Sequence, residues 1–313
     1  MQENQEGWLP TRAALHPTGL YLALRQVAPA ELRDAFMQET VTRVPAAERF
    51  VQIARGDVGK AAEVTAPMGL IFHVARCGST LISQLLKQRD GIAVYAEPLP
   101  VNEILLPPHK WPRAEIVGAL RSLGDAFARH AQKPYVLKFS SWNTLYCDIV
   151  AEAFPDSPWI LSMRDPVEIG VSLLAQTPGW LGDPAGPAAH LGKLADAGGD
   201  SRSSEEFVAR LYGAFCDAMG RLDAKRGRLV PYDALPAAAW EIVAPHFALA
   251  IDNRTRDRMI TAAGVNSKSP VGRSLAFSGD AAAKQAAAST GLRRAVDSFA
   301  RPQLERLLNL HAG

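Results

Sequence analysis

A chain of 313 residues with 48% hydrophobic content can bury one large core or two modest ones. Lys and Arg number 34 against 32 Asp and Glu, so no global field draws the protein onto nucleic acid or an anionic membrane, and any anion site must be local. Cys77, Cys147 and Cys216 lack the spacing of a zinc site or a disulfide framework, no apolar run approaches the ~18 residues of a membrane span, and the first residues have no signal-peptide pattern; a soluble, cytoplasmic protein without a membrane span is expected.

Residues 1–66 carry few signals, although Leu32, Phe36 and Val41 predict a helix over about 29–42. They are expected to form a helical extension in front of an α/β domain at 67–313. At Gly69 the character changes. Leu70, Ile71, Phe72, His73, Val74 and Ala75 make a nearly continuous apolar run, as a parallel strand covered on both faces requires. Arg76, Cys77, Gly78, Ser79 and Thr80 then form a turn of mostly small residues, after which Leu81, Ile82, Leu85 and Leu86 recur at helical spacing. The alternation continues with a strand near 92–95, a helix over 114–130, a strand at 135–139, a helix over 145–154 and a strand at 159–163. A helix to about 175 follows Arg164, with Asp165 as its N-cap and Pro166 at its first position. Residues 177–204 are rich in Gly, Pro, Asp and Ser and predict a lid or acceptor loop. A helix over 205–225, a strand at 228–231, a basic loop at 266–278 and an alanine-rich helix at 281–288 complete the chain. Strands alternating with helices predict a three-layer α/β fold, with a mostly parallel central sheet and helices on both faces.

Two places have the chemistry of an anion site. After the first buried strand, free N–H groups at a helix start converge on the turn, Gly78 permits close approach, and Ser79 and Thr80 add hydroxyls. The Gly-Lys-Ser/Thr of an ATP-type phosphate loop is absent, and close packing is the alternative use of such small residues. Arg164 ends a later strand, where ligands of open parallel sheets gather, and Ser172 lies about two helical turns beyond Asp165. Both can reach one phosphate, or Arg164 can pair with a neighbouring carboxylate.

Taken together, these stretches resemble the sulfotransferase family. Ile71 to Leu81 is similar to that family's 5′-phosphosulfate loop, and Trp159 to Pro166 followed by Ser172 is similar to its 3′-phosphate motif. Tyr95-Ala96-Glu97-Pro98-Leu99 resembles the Glu-Pro-Leu segment of carbohydrate-type members, and Leu229 to Leu235 resembles the Tyr-Glu-Asp-Leu strand end. The resemblance implies a P-loop-like fold and in-line transfer of a sulfuryl group from 3′-phosphoadenosine 5′-phosphosulfate, without a metal, to a hydroxyl or amine of a small-molecule or carbohydrate acceptor.

It also implies roles for particular residues. Arg76 would stand against the departing phosphate, with Cys77, Gly78, Ser79 and Thr80 around the 5′ end; Arg164 and Ser172 would hold the 3′-phosphate; and Lys268 and Arg273 would belong to a segment covering the nucleotide. Lys138 lies where many cytosolic members carry Lys-Thr-His, but the histidine position is Ser140, which cannot act as a base at neutral pH. Glu97 is then the preferred base, with burial expected to raise its pKa. His73, Cys147 and Cys216 are expected in the core, and Trp111, Trp142, Trp180 and Trp240 are open between packing and stacking on a ligand ring. The competing readings are a small-molecule kinase on a phosphate-loop scaffold and a catalytically inactive nucleotide-binding regulator.

Overall fold

The computed structural model describes residues 7–60, 65–106, 111–182, 203–264 and 280–312. Its first elements differ from expectation. In place of a helical extension, β1 (Trp8–His16), β2 (Gly19–Gln26) and β3 (Glu48–Ala54) pair as an antiparallel sheet in the order β1-β2-β3. Leu9, Thr11, Ala13 and Leu15 of β1 point inward, and a register shift between Pro10 and Arg12 interrupts the ladder. Of the helix expected over 29–42, only a turn at Pro29–Glu31 and the helix α1 (Met37–Arg43) form. Asp34 lies between them, buried, accepting from Thr40 Oγ1 at 2.7 Å and from Arg43 Nε at 2.9 Å. A carboxylate buried with its own partners interrupts the helix there.

The α/β expectation is met in the rest of the fold. The strands β4 (Gly69–His73), β5 (Ala93–Ala96), β6 (Tyr135–Lys138), β7 (Trp159–Met163) and β8 (Gly227–Pro231) form an all-parallel sheet in the order β5-β6-β4-β7-β8. Successive residues of β4 feed opposite cores, because strand side chains alternate faces. Ile71 packs with Val136, Ile160 and Phe247 beneath Ile82 and Leu86 of α2 (Ser79–Leu86). Leu70 and Phe72 pack on the other side with Leu137, Leu161, Phe127, Val150 and Phe215. Those last three belong to α4 (Arg113–Ala131), α5 (Cys147–Ala153) and the helix Ser204–Met219, while α3 (Leu99–Leu105) precedes α4 in the chain. The helix predicted to run to 225 stops at Met219, with Gly220 as its C-cap.

The antiparallel sheet joins the same core as the second layer, since Leu15, Leu22 and Leu24 cluster with Val101, Ile104 and Leu123. Polar ties add direction to that packing. Glu103 accepts from the Ala13 N–H at 2.6 Å and pairs with Arg12, while Arg55 pairs with Glu115 at 2.6 Å. His130, fully buried, donates from Nε2 to the Val27 carbonyl at 2.7 Å and accepts from the Tyr95 hydroxyl at 2.6 Å.

Because β4 is central and its neighbours β6 and β7 are reached in opposite directions, the strand order reverses beside it. The crevice at the carboxyl ends of such a sheet is where this architecture places ligands.

Candidate functional site

A cavity of about 580 Å³ opens at that edge and is lined by residues that follow each of the five parallel strands. After β4 come Ala75 to Leu81, after β5 Glu97, after β6 Ser141, after β7 Arg164 and after β8 Tyr232. Arg76, Cys77, Gly78, Ser79, Thr80, Glu97, Arg164 and Ser172, singled out from the sequence, all face it. Lys268 and Arg273, with most of the expected lid at 177–204, lie outside the described residues.

The turn after β4 is bent tightly. Ala75 and Arg76 have φ of 69° and 49°, and Gly78 has φ of 86°, all in the left-handed region. Non-glycine residues there store about 1–3 kcal/mol each and persist only where the surroundings hold them. Here β7 does so: Ser162 Oγ donates to the Cys77 carbonyl at 2.9 Å and Cys77 Sγ donates to the Ser162 carbonyl at 3.0 Å. A Cβ on Gly78 would stand 2.5 Å from Leu235 Cδ1. Gly78 is the N-cap of α2 and no side chain caps the helix, so its first-turn N–H groups and dipole point at the cavity without a competing carboxylate. Arg76 extends along the wall, donating to Gln176 Oε1 at 2.7 Å and to the Gln176 carbonyl at 3.1 Å.

Glu97, also left-handed at φ 52°, sits at the end of β5, and its N–H donates to the Lys138 carbonyl at 2.7 Å. Parallel pairing of Ala96 with Lys138 brings the two side chains together, and the Lys138 ammonium donates to Glu97 Oε1. Lys138 is completely buried, and its ammonium also lies 5.4 Å from the centre of the Phe36 ring, which lines the cavity. His73 Nδ1 accepts from the Ala75 N–H at 3.2 Å, so its Nε2 carries the proton, donating to the Phe139 carbonyl at 3.0 Å and lying 3.6 Å from Glu97 Oε1. Burial acts to raise the Glu97 carboxyl, but Lys138 and His73 outweigh it and hold the group down to about 2. The expected upward shift is therefore reversed, because burial was weighed without the cation that register supplies.

Arg164 faces the cavity and is paired with carboxylates, as the alternative sequence reading allowed. Its side chain is 4% exposed, donates from Nε to Glu168 Oε2 at 2.6 Å and from Nη2 to Asp280 Oδ1 at 2.7 Å, and lies 4.0 Å from the centre of the Tyr232 ring. Asp280 Oδ2 also meets Lys284 Nζ at 2.7 Å. Asp165 caps α6 (Pro166–Ala175), accepting from the N–H groups of Val167 and Glu168 at 2.9 and 3.2 Å. Ser172, two turns along α6, faces the same cavity as Arg164.

Sequence reasoning missed Asp280, Lys284, Gln176 and Phe36. Glu168 was detectable, standing one helical turn from Arg164, but Asp280 is 116 residues away and no local pattern marks it. Among the tryptophans, Trp142 and Trp180 line cavities, whereas Trp111 and Trp240 receive Arg55 and Arg256 over their rings. Among the described residues no cluster of His, Cys, Asp and Glu could hold a metal ion, and no helix is long and apolar enough to cross a membrane.

The site is thus a polar crevice at the carboxyl edge of an open α/β sheet. The chain matches no protein-family model and no curated protein. Among solved structures, a sulfotransferase of Mycobacterium avium shares 16% identity, covering 66% of this chain and 69% of its own, with a TM-score of 0.42. The sulfotransferase domain of a Synechococcus olefin synthase shares 14% over 77% and 97%, with a TM-score of 0.43, and a sulfotransferase of Alicyclobacillus acidocaldarius shares 16% over 79% and 96%, with a TM-score of 0.40. Similarity this remote carries no inference about activity, which has to rest on the site itself.

Proposed function

We propose that the chain transfers a sulfuryl group from 3′-phosphoadenosine 5′-phosphosulfate to a hydroxyl or amine of a small-molecule acceptor. The observation that supports this reading is the shared cavity: the uncapped start of α2 and the pair Arg164 and Ser172 open onto one space. Two separate anion-receptive walls suit a ligand phosphorylated at both ends of an adenosine better than a single polyphosphate chain. Gly78 leaves the backbone open where a Cβ would collide, and Ser79 and Thr80, both nearly buried, bring hydroxyls to that wall.

In the reaction the acceptor oxygen or nitrogen bonds to sulfur as the bond from sulfur to the phosphate oxygen breaks. The electron pair leaves with 3′,5′-bisphosphoadenosine. Charge growing on that phosphate would be met by the first-turn N–H groups of α2 and by Arg76, whose present bonds to Gln176 are to a half-exposed partner it can leave. The acceptor's proton would pass to Glu97. A carboxylate held near 2 does not remove a proton from a free alcohol, but an oxygen already bonding to sulfur is acidic enough to give it up. Lys138, hidden behind Glu97, acts in this reading as a positioning residue that keeps the carboxylate ionised and aimed.

Calorimetric titration with 3′,5′-bisphosphoadenosine, ATP and GTP tests the donor site, and transfer from radiolabelled donor into a metabolite extract tests the reaction. The bisphosphate is expected to bind most tightly and, at ~100 times its Kd, to stabilise the fold by about 2.7 kcal/mol. Preference for ATP would favour the kinase reading, and bisphosphate binding without any transfer would favour the regulator.

A further inference from the structure

A second cavity, about 750 Å³, adjoins the first and shares Phe36, Glu97 and Trp180 with it. Its inner wall is aromatic and apolar, built by Trp142, Trp180, Phe36 and Leu99. The charged groups on its margin already have partners within the protein, Arg43 in two carboxylates and Glu39 in a backbone N–H. Asp34 accepts from Thr40 and Arg43, Arg43 reaches Glu31 at 3.3 Å, and Glu39 accepts from the Phe36 N–H at 3.1 Å. One polar atom is left over. Asn102 donates from Nδ2 to Ser140 Oγ at 3.2 Å, while its Oδ1 is buried with no partner among the described residues. A buried amide oxygen of this kind calls for a donor from outside the protein.

Resting on the sulfuryl-transfer reading for its reaction, we propose that this cavity holds the acceptor and that the acceptor is an aromatic hydroxy compound without an anionic group. Its ring lies against Phe36, Trp142 and Trp180, its nucleophilic hydroxyl stands at the junction beside Glu97, and Asn102 Oδ1 accepts from a further N–H or O–H on it. The volume suits a molecule of two or three fused rings. A sugar, with a hydroxyl on nearly every carbon, would leave most of them unmet against this wall. An anionic ligand finds no free cation on this margin, since Arg43 is already closed by Asp34 and Glu31. Much of the wall comes from the segment before the parallel sheet, through Asp34, Phe36, Gln38, Glu39, Thr42 and Arg43, so acceptor choice is assigned to the N-terminal unit.

The test is calorimetric titration of the full chain with 2-naphthol, with and without 3′,5′-bisphosphoadenosine, against an N-acetylglucosamine oligosaccharide. Saturable 2-naphthol binding is expected, with Leu99→Ala, at a residue that lines this cavity and not the first, weakening it about ten-fold or more and bisphosphate affinity unchanged. Thr42→Trp changes an exposed rim residue, so it blocks the mouth without disturbing the core, and it is expected to abolish 2-naphthol binding at an unaltered melting temperature. Absence of 2-naphthol binding, equal affinity in both variants, or tighter binding of the oligosaccharide overturns the assignment. A protein that binds 2-naphthol in this way but ignores the bisphosphate loses the donor reading alone.

Discussion

Asp280→Asn is expected to tighten binding of 3′,5′-bisphosphoadenosine. Asp280 holds Arg164 at 2.7 Å and Lys284 at 2.7 Å, so a carboxylate already stands on the cations that a 3′-phosphate would use. Burial acts to raise the Asp280 carboxyl, yet Lys284 and Arg164 outweigh it and keep the group below its ordinary range, so at neutral pH it is fully charged. An incoming phosphate must displace or repel that charge. A charge-assisted bond to a buried guanidinium contributes ~1.5–3 kcal/mol, but the Asp280 side chain is 47% exposed, and solvent screening brings the competing interaction to about 1 kcal/mol. Asparagine keeps the shape and one hydrogen bond while removing the charge. The Kd by calorimetry at pH 7 should fall about five-fold at low salt, and the gain should shrink as ionic strength rises. An unchanged or weaker affinity would mean that Asp280 orients Arg164 for its ligand instead of competing with it, and the reasoning would fail.

Lys138→Met should move the acid limb of transfer. Glu97 must be ionised to accept a proton; with Lys138 gone, burial is opposed by His73 alone and its pKa rises, so rate should be lost as pH falls through a higher value than in the native protein. Identical pH profiles for the two proteins would remove Lys138 from that role. Gly78→Ala combines a left-handed backbone with a Cβ 2.5 Å from Leu235, and should cost about 1–2 kcal/mol in urea unfolding and most of the nucleotide affinity. Full affinity in that variant would show that the turn does not hold the donor. His130 is held neutral by burial, down to about 4, whereas an unfolded histidine titrates near 6.5. The unfolded chain therefore binds the extra proton between those values, and stability should fall by about 3 kcal/mol as pH drops from 6.5 to 4. His130→Gln should flatten that dependence, and an unaltered slope would place the acid sensitivity elsewhere.

What could be read from the chain was local. The strand Trp159–Met163, the Asp165 cap and the helix to Ala175 follow from a short apolar run, a side chain that accepts from the next N–H groups, and a proline at the first helical position. The run before Arg76 reads as a central strand because a strand buried on both faces leaves no polar alternation. The antiparallel sheet at the start escaped notice because a register shift interrupts β1 and alanines fall on both of its faces, which blurs the period of two.

Tertiary structure alone decided the electrostatics of the site. Glu97 and Lys138 are 41 residues apart and meet only because β5 pairs with β6 in one register, and that pairing turns an expected high-pKa carboxyl into one that is ionised at neutral pH. Arg164 and Asp280 are joined by packing of the helix Ala281–Ala287 against α6, across most of the α/β region. Sequence determines which side chains stand at the strand ends, since strand and turn signals act over a few residues. Which charges they face depends on strand order and register, and those are set by burying both sides of the sheet at once.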